Sequence, residues 1–153
     1  MKKYVFALLL STLALTCYAP VNLEAYNFDF KEFQIDKLRN SELTLENVIE
    51  YVKLNNIQHP EVVIRQFILE TGWGKSQVCK KYNNLFGFRN KNGYIKYSHW
   101  TESICSTVKN ITGYKQFQNK KYKGGCYYTF LVNVGYAEAP DYVQILKTIK
   151  IKV

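Results

Sequence analysis

The chain has 153 residues and a net charge of +9, with 21 Lys and Arg against 12 Asp and Glu. That length suits one compact domain plus an export segment. His59 and His99 are the only imidazoles, and Cys79, Cys105 and Cys126 stand at spacings that match no CxxC pattern, so a zinc site is not expected.

Met1-Lys2-Lys3 is a short positive stretch, and Tyr4 to Leu15 is apolar apart from Ser11 and Thr12. This reads as an export signal spanning residues 1–17, too short for a comfortable membrane span. Ala14-Leu15-Thr16-Cys17 loosely resembles a bacterial lipobox, with threonine out of place. Cys17 is therefore a candidate lipid-anchoring residue; cleavage after Ala19 is the alternative, and it would leave Pro20 unfavourably next. The expected location is the periplasm, the outer membrane or the cell surface. Removal of Lys2 and Lys3 leaves 19 basic residues against 12 acidic, a net +7, which suits attraction to an anionic polymer or simply keeps a small domain soluble. Export and the lack of a Lys/Arg-aromatic stripe argue against nucleic acid as a partner.

Residues 18–43 are mixed, with Phe28, Phe30 and Phe33 among polar residues and no clear helical stripe. They read as an N-terminal arm, followed by a domain over 44–153. From Thr44, the residues Leu45, Val48, Ile49, Val52 and Leu54 follow helical spacing. His59-Pro60-Glu61 opens a second helix with proline in its first turn and a carboxylate near the positive dipole end. Val62, Val63, Ile64, Phe67, Ile68 and Leu69 make it apolar nearly all round, as in a helix at the centre of a core. Glu70 ends that helix, just before Thr71-Gly72-Trp73-Gly74. There burial and the negative dipole end both raise a carboxyl pKa, as a general acid for glycoside cleavage requires; an ordinary helix-terminal glutamate is the plainer reading.

Ser76 is placed to cap a short helix to Tyr82. Lys91-Asn92-Gly93-Tyr94 signals a tight hairpin between Phe88-Arg89 and Tyr94–Tyr97. Helices are expected over 101–110 and 127–134, and a last one opens at Pro140 with Tyr142, Val143, Ile145, Leu146 and Ile149 on it. The expected class is mainly α, a single helical domain with one small β-hairpin.

Gln66-Phe67-Ile68-Leu69-Glu70-Thr71-Gly72-Trp73-Gly74-Lys75-Ser76, then Asn83-Asn84-Leu85-Phe86-Gly87, then Gly135-Tyr136-Ala137-Glu138-Ala139-Pro140-Asp141-Tyr142 resemble, in order, the three signature stretches of the bacterial glucosaminidases. This is glycoside hydrolase family 73, endo-β-N-acetylglucosaminidase-like, and the resemblance covers about residues 44–150. It implies a lysozyme-like α+β fold, no metal or organic cofactor, and hydrolysis of the β-1,4 bond between N-acetylglucosamine and N-acetylmuramic acid. The implied partner is the glycan strand of peptidoglycan; separately, a monomer is expected.

By motif, Glu70 takes the general-acid position and Tyr136 that of the tyrosine near the cleavage point. Trp73, Asn83, Asn84, Phe86 and Trp100 supply the aromatic faces and amides that sugar binding uses, with core packing the competing reading for Phe86. Two departures stand out. Glu138-Ala139-Pro140 replaces Thr-Asp-Pro, and the stretch Phe88–His99 holds no acidic residue where many family members carry a second glutamate. A glycosidase ordinarily sets its second group roughly 5–9.5 Å from the acid. Glu102, Glu138 or Asp141 could supply it from elsewhere, with Glu138 preferred among them, or the substrate's own N-acetyl group could serve. A lytic transglycosylase, which needs one acid, and a non-catalytic peptidoglycan-binding scaffold are the alternative functions.

Overall fold

The computed structural model describes residues 23–151, so the export-signal and Cys17 readings lie outside the described residues. Eight helices and one two-stranded antiparallel sheet make up this part. The mainly α class with a single small hairpin is what the fold shows.

Within the expected N-terminal arm, where the sequence shows no clear helical stripe, the chain forms α1, Leu23–Arg39. Ile35 and Leu38, one turn apart, are buried, and α1 packs on α2, Leu45–Leu54. Phe28, Phe30 and Phe33 all face solvent, which is why the aromatic pattern concealed the helix. Thr44 caps α2, accepting from the Asn47 amide at 3.1 Å. The central element is α3, Pro60–Thr71, with Val62, Val63, Ile64, Phe67 and Ile68 buried and α2 and α8 packed against it.

Ser76 caps α4, Gln77–Tyr82, accepting from Cys79 N at 3.2 Å, as its sequence position suggests. The sheet pairs β1, Arg89–Asn90, with β2, Gly93–Tyr94. Lys91 and Asn92 form the tip, and Gly93, at φ +108°, opens the return strand. The ladder extends by one bond, Ile95 N to Phe88 O at 2.9 Å.

The helix expected over 101–110 is only α5, Trp100–Ile104. Gln116 explains its early end: its Nε2 donates to Ser106 O at 2.6 Å and its Oε1 accepts from Ser106 N at 3.3 Å. The same Oε1 accepts from Gly113 N at 3.2 Å, at the start of an unexpected helix, α6, Tyr114–Lys121. A side chain at Gly113 would collide with Glu102 O and Ser106 N, each 2.7 Å from an added Cβ, so this crossing requires glycine. Helix α7 spans Tyr127–Asn133, and α8 spans Tyr142–Thr148, beginning two residues after Pro140.

Cys79, Cys105 and Cys126 are all free thiols. His59 bonds the Tyr122 hydroxyl and stacks on Tyr127, and His99 bonds Ser41 O and Thr101.

Asn84 joins the hairpin to the domain. Its Nδ2 donates to Phe88 O at 2.8 Å and Ile95 O at 2.9 Å, and its Oδ1 accepts from Phe88 N at 3.0 Å. The residue is 1% exposed, so water cannot replace those bonds. Asn84→Ala is expected to lose about 2–4 kcal/mol in urea unfolding, because buried backbone groups lose their partners. Amide exchange at Phe88 and Ile95 should speed up in the same variant.

Candidate active site

Glu70 sits half-buried in the last turn of α3. Beyond it the backbone turns sharply, with Gly72, Trp73 and Gly74 at φ +54°, +62° and +76°. Buried Thr71 clamps the turn: its hydroxyl donates to Phe67 O at 2.6 Å and accepts from Gly74 N at 2.7 Å. A left-handed tryptophan costs about 1–2 kcal/mol. The turn leaves Trp73, three residues beyond Glu70, 55% exposed. Gly87, at φ +66°, faces the other carboxylate oxygen, so its Cα-side surface forms part of the wall against Glu70 Oε2.

Burial holds the Glu70 carboxyl above its ordinary pKa, and a hydrogen bond from Tyr142 opposes this in part. Tyr142 O–H donates to Glu70 Oε1 at 2.8 Å. That proton is committed to the carboxylate, so Tyr142 accepts from Gln66 Nε2 at 3.3 Å. Gln66 Oε1 in turn accepts from Tyr114 O–H. Tyr127 O–H then donates to Tyr114 at 2.8 Å, and Gln118 Nε2 donates to the Tyr127 oxygen at 2.9 Å. Every donor in this row points toward Glu70. The row crosses the core from α6 and α7 through α3 to α8, and each member polarises the next.

Tyr136 is brought to the same place. Its ring lies 5.8 Å from that of Tyr142, and its hydroxyl donates to Phe86 O over a long 3.4 Å. Burial first, then Tyr142 and the Glu70 charge, push its phenol well up, so it is a neutral donor. Glu138 is exposed in the turn before α8. Asp141 is exposed at the start of that helix and makes no side-chain cap bond. Glu102 accepts from Ser98 N at 3.0 Å, which ties it to the start of α5.

The remaining sequence candidates divide by exposure. Phe86 is 4% exposed and packs on Tyr114 at 4.4 Å. Trp100 is 2% exposed, with its indole N–H on Ser41 O at 2.9 Å. Asn83 donates to Tyr97 O and Ser98 O, both at 3.1 Å, and Asn84 holds the hairpin as described. Those four side chains make contacts within the protein, while Trp73 faces solvent. Sequence reasoning overlooked Gln66 and Tyr142 as site residues. A lone glutamine inside an apolar helix was the available signal, since a buried amide must find partners.

A family model described as glucosaminidase, mannosyl-glycoprotein endo-beta-N-acetylglucosaminidase, matches residues 45–152. The chain belongs to the glucosaminidase family. It is also 30% identical to the exo-glucosaminidase LytG of Bacillus subtilis (strain 168), over an alignment of 173 positions. That alignment covers 93% of this chain and 59% of the relative, so the chain spans about three-fifths of its length. No solved structure matches. The glucosaminidase segment contains Glu70, Tyr136, Tyr142 and the whole donor row. Among the described residues it holds no cluster of His, Cys, Asp and Glu fit to bind a metal ion.

A carboxyl whose pKa rises on folding binds protons more tightly in the native state, so the native glucosaminidase loses stability as pH climbs from the unfolded to the folded pKa. Glu70→Gln keeps an acceptor for Tyr142 and removes the charge. Its melting temperature should exceed the parent's at neutral pH, with the gap closing below the ordinary carboxylate range. Tyr142→Phe removes the donor that favours the carboxylate, so the Glu70 pKa, followed by NMR titration, should move further up. The variant should also lose about 1–3 kcal/mol of stability from the orphaned Gln66 amide.

Proposed function

We propose that this protein is a peptidoglycan hydrolase cutting the β-1,4 bond on the reducing side of N-acetylglucosamine, with Glu70 as general acid. The observation that carries this reading is Glu70 itself: a half-buried carboxyl with a raised pKa, aligned by Tyr142 and overlooked by Tyr136. Membership of the glucosaminidase family supports the substrate class.

Glu70 gives its proton to the glycosidic oxygen as the C1–O bond breaks. The hairpin stretch Phe88–His99 carries no acid. Glu138 and Asp141 are exposed. We therefore assign the second role to the substrate's 2-acetamido oxygen, which bonds to C1 as the leaving group departs. Tyr136, a neutral phenol beside the acid, orients that acetamido group. Water then adds to C1 as the bond from the acetamido oxygen to C1 breaks and frees that group, and the water's proton passes to the Glu70 carboxylate, which regenerates the acid. The cut is read as internal to the strand, following the family model's description; the relative's name carries the exo mode. The wider setting we propose is an export signal at 1–17, a lipid anchor at Cys17, and a monomeric domain over 44–153 at the cell wall.

The test is mass spectrometry of digested peptidoglycan. Reducing N-acetylglucosamine ends on multi-disaccharide fragments are expected, and Glu70→Gln should lower the rate about 10²–10⁴-fold. De-N-acetylated strands should resist cleavage, and Glu138→Gln should cut normally. Anhydro-muramic ends would replace this reading with a lytic transglycosylase. Tight binding of uncut sacculi by both proteins would replace it with a scaffold.

A further inference from the structure

A groove of about 580 Å³ is lined by the hairpin, residues 110–112 and Phe117, and it begins at Phe88, one residue after the Gly87 that meets Glu70. The loop Asn84–Phe88 fixes the relation between the two. Gly87 lies against the acid, Phe88 lines the groove, and Asn84 bonds both edges of the hairpin base. The floor is apolar, formed by half-buried Phe88, Ile95, Ile111 and Phe117. Arg89 and Lys96 also line it, and no carboxylate does.

Arg89 is held over the Tyr94 ring, 4.4 Å from its centroid, by the direct cross-strand pairing of the two residues. Lys96 lies 5.1 Å from the Tyr82 ring centroid. Neither has an ion-pair partner among the described residues. Both cations rest on aromatic faces with their charge uncompensated. A neutral sugar has no use for such charge. An apolar floor with cations at its edge suits a short peptide that bears carboxylates and small alkyl side chains, and the volume is that of an ordinary small-ligand site.

We propose that this groove is a subsite for the carboxylate-bearing peptide branch of the glycan strand, so that the protein prefers strands carrying peptides to bare ones. The proposal rests on the glucosaminidase reading. It gives the hairpin, which lacks an acid, a recognition role distinct from bond cleavage.

The test compares kcat/KM on intact peptidoglycan with that on strands stripped of peptide by an amidase, which keep only the lactyl carboxylate. Arg89→Ala/Lys96→Ala is set beside Arg89→Lys/Lys96→Arg, which retains the charges. The alanine pair should lose at least tenfold more on intact than on stripped strands, through KM, and the charge-retaining pair should recover most of the loss. An equal fall on both substrates, or none on either, would overturn the subsite. If the parent protein cuts neither substrate, the glucosaminidase reading fails. Calorimetry with a free tetrapeptide of the stem then decides the groove by itself: binding weakened at least tenfold in the alanine pair upholds it, and no binding to the parent overturns it.

Discussion

Gln66 is the constraint on which the rest of the structure depends. It is fully buried in the central helix, and a buried amide without partners costs more than its packing returns. Its two bonds therefore dictate where two tyrosines must stand: Tyr114 from α6 on the carbonyl side and Tyr142 from α8 on the amide side. Tyr127 brings in α7 through Tyr114, and Gln118 ties the far end to Gln58 O at 2.8 Å. Among the described residues no buried side-chain polar atom lacks a partner. A single polar residue in an apolar helix thus sets the assembly of the C-terminal half.

The same row of bonds prepares the site. Because each hydroxyl has one proton and Glu70 can only accept when ionised, the row has one direction, toward the carboxylate. It favours the charged form, and burial at the end of α3 favours the neutral one. Burial prevails, and the carboxyl titrates above its ordinary range. This balance is what a group needs that must give up a proton and later take one back. Strain is concentrated next to it, in the left-handed Trp73, where Thr71 holds a turn the side chain alone would not choose.

The hairpin follows a different logic. It is too short to be stable alone, with two residues in each strand, and relies on Asn84 for its attachment. That attachment places a basic, aromatic edge at a fixed offset from the acid. Phe86, Trp100, Asn83 and Asn84 are sugar-binding residue types by composition, yet the Trp100 N–H, the Asn83 and Asn84 side-chain NH2 groups and the Phe86 ring are engaged within the protein. Residue type alone does not separate a contact made with a ligand from one made with the fold.

The sequence by itself determined the elements whose causes are local. Thr44 and Ser76 cap helices, Pro60 starts one, Gly72 ends it, and Gly93 permits the hairpin's return, because each acts on backbone groups within four residues. The position of Glu70 at the end of a largely apolar helix was legible for the same reason. Only the tertiary structure decided the length of α5, the existence of α6 and the role of Tyr142. Gln116 stops one helix and starts the next by reaching ten residues back to Ser106. Tyr142 meets Glu70 across 72 residues of chain. The α1 helix was hidden because its aromatics face outward and only Ile35 and Leu38 mark its packed face. Partners that distant in sequence leave no periodic trace, since folding brings them together and spacing does not.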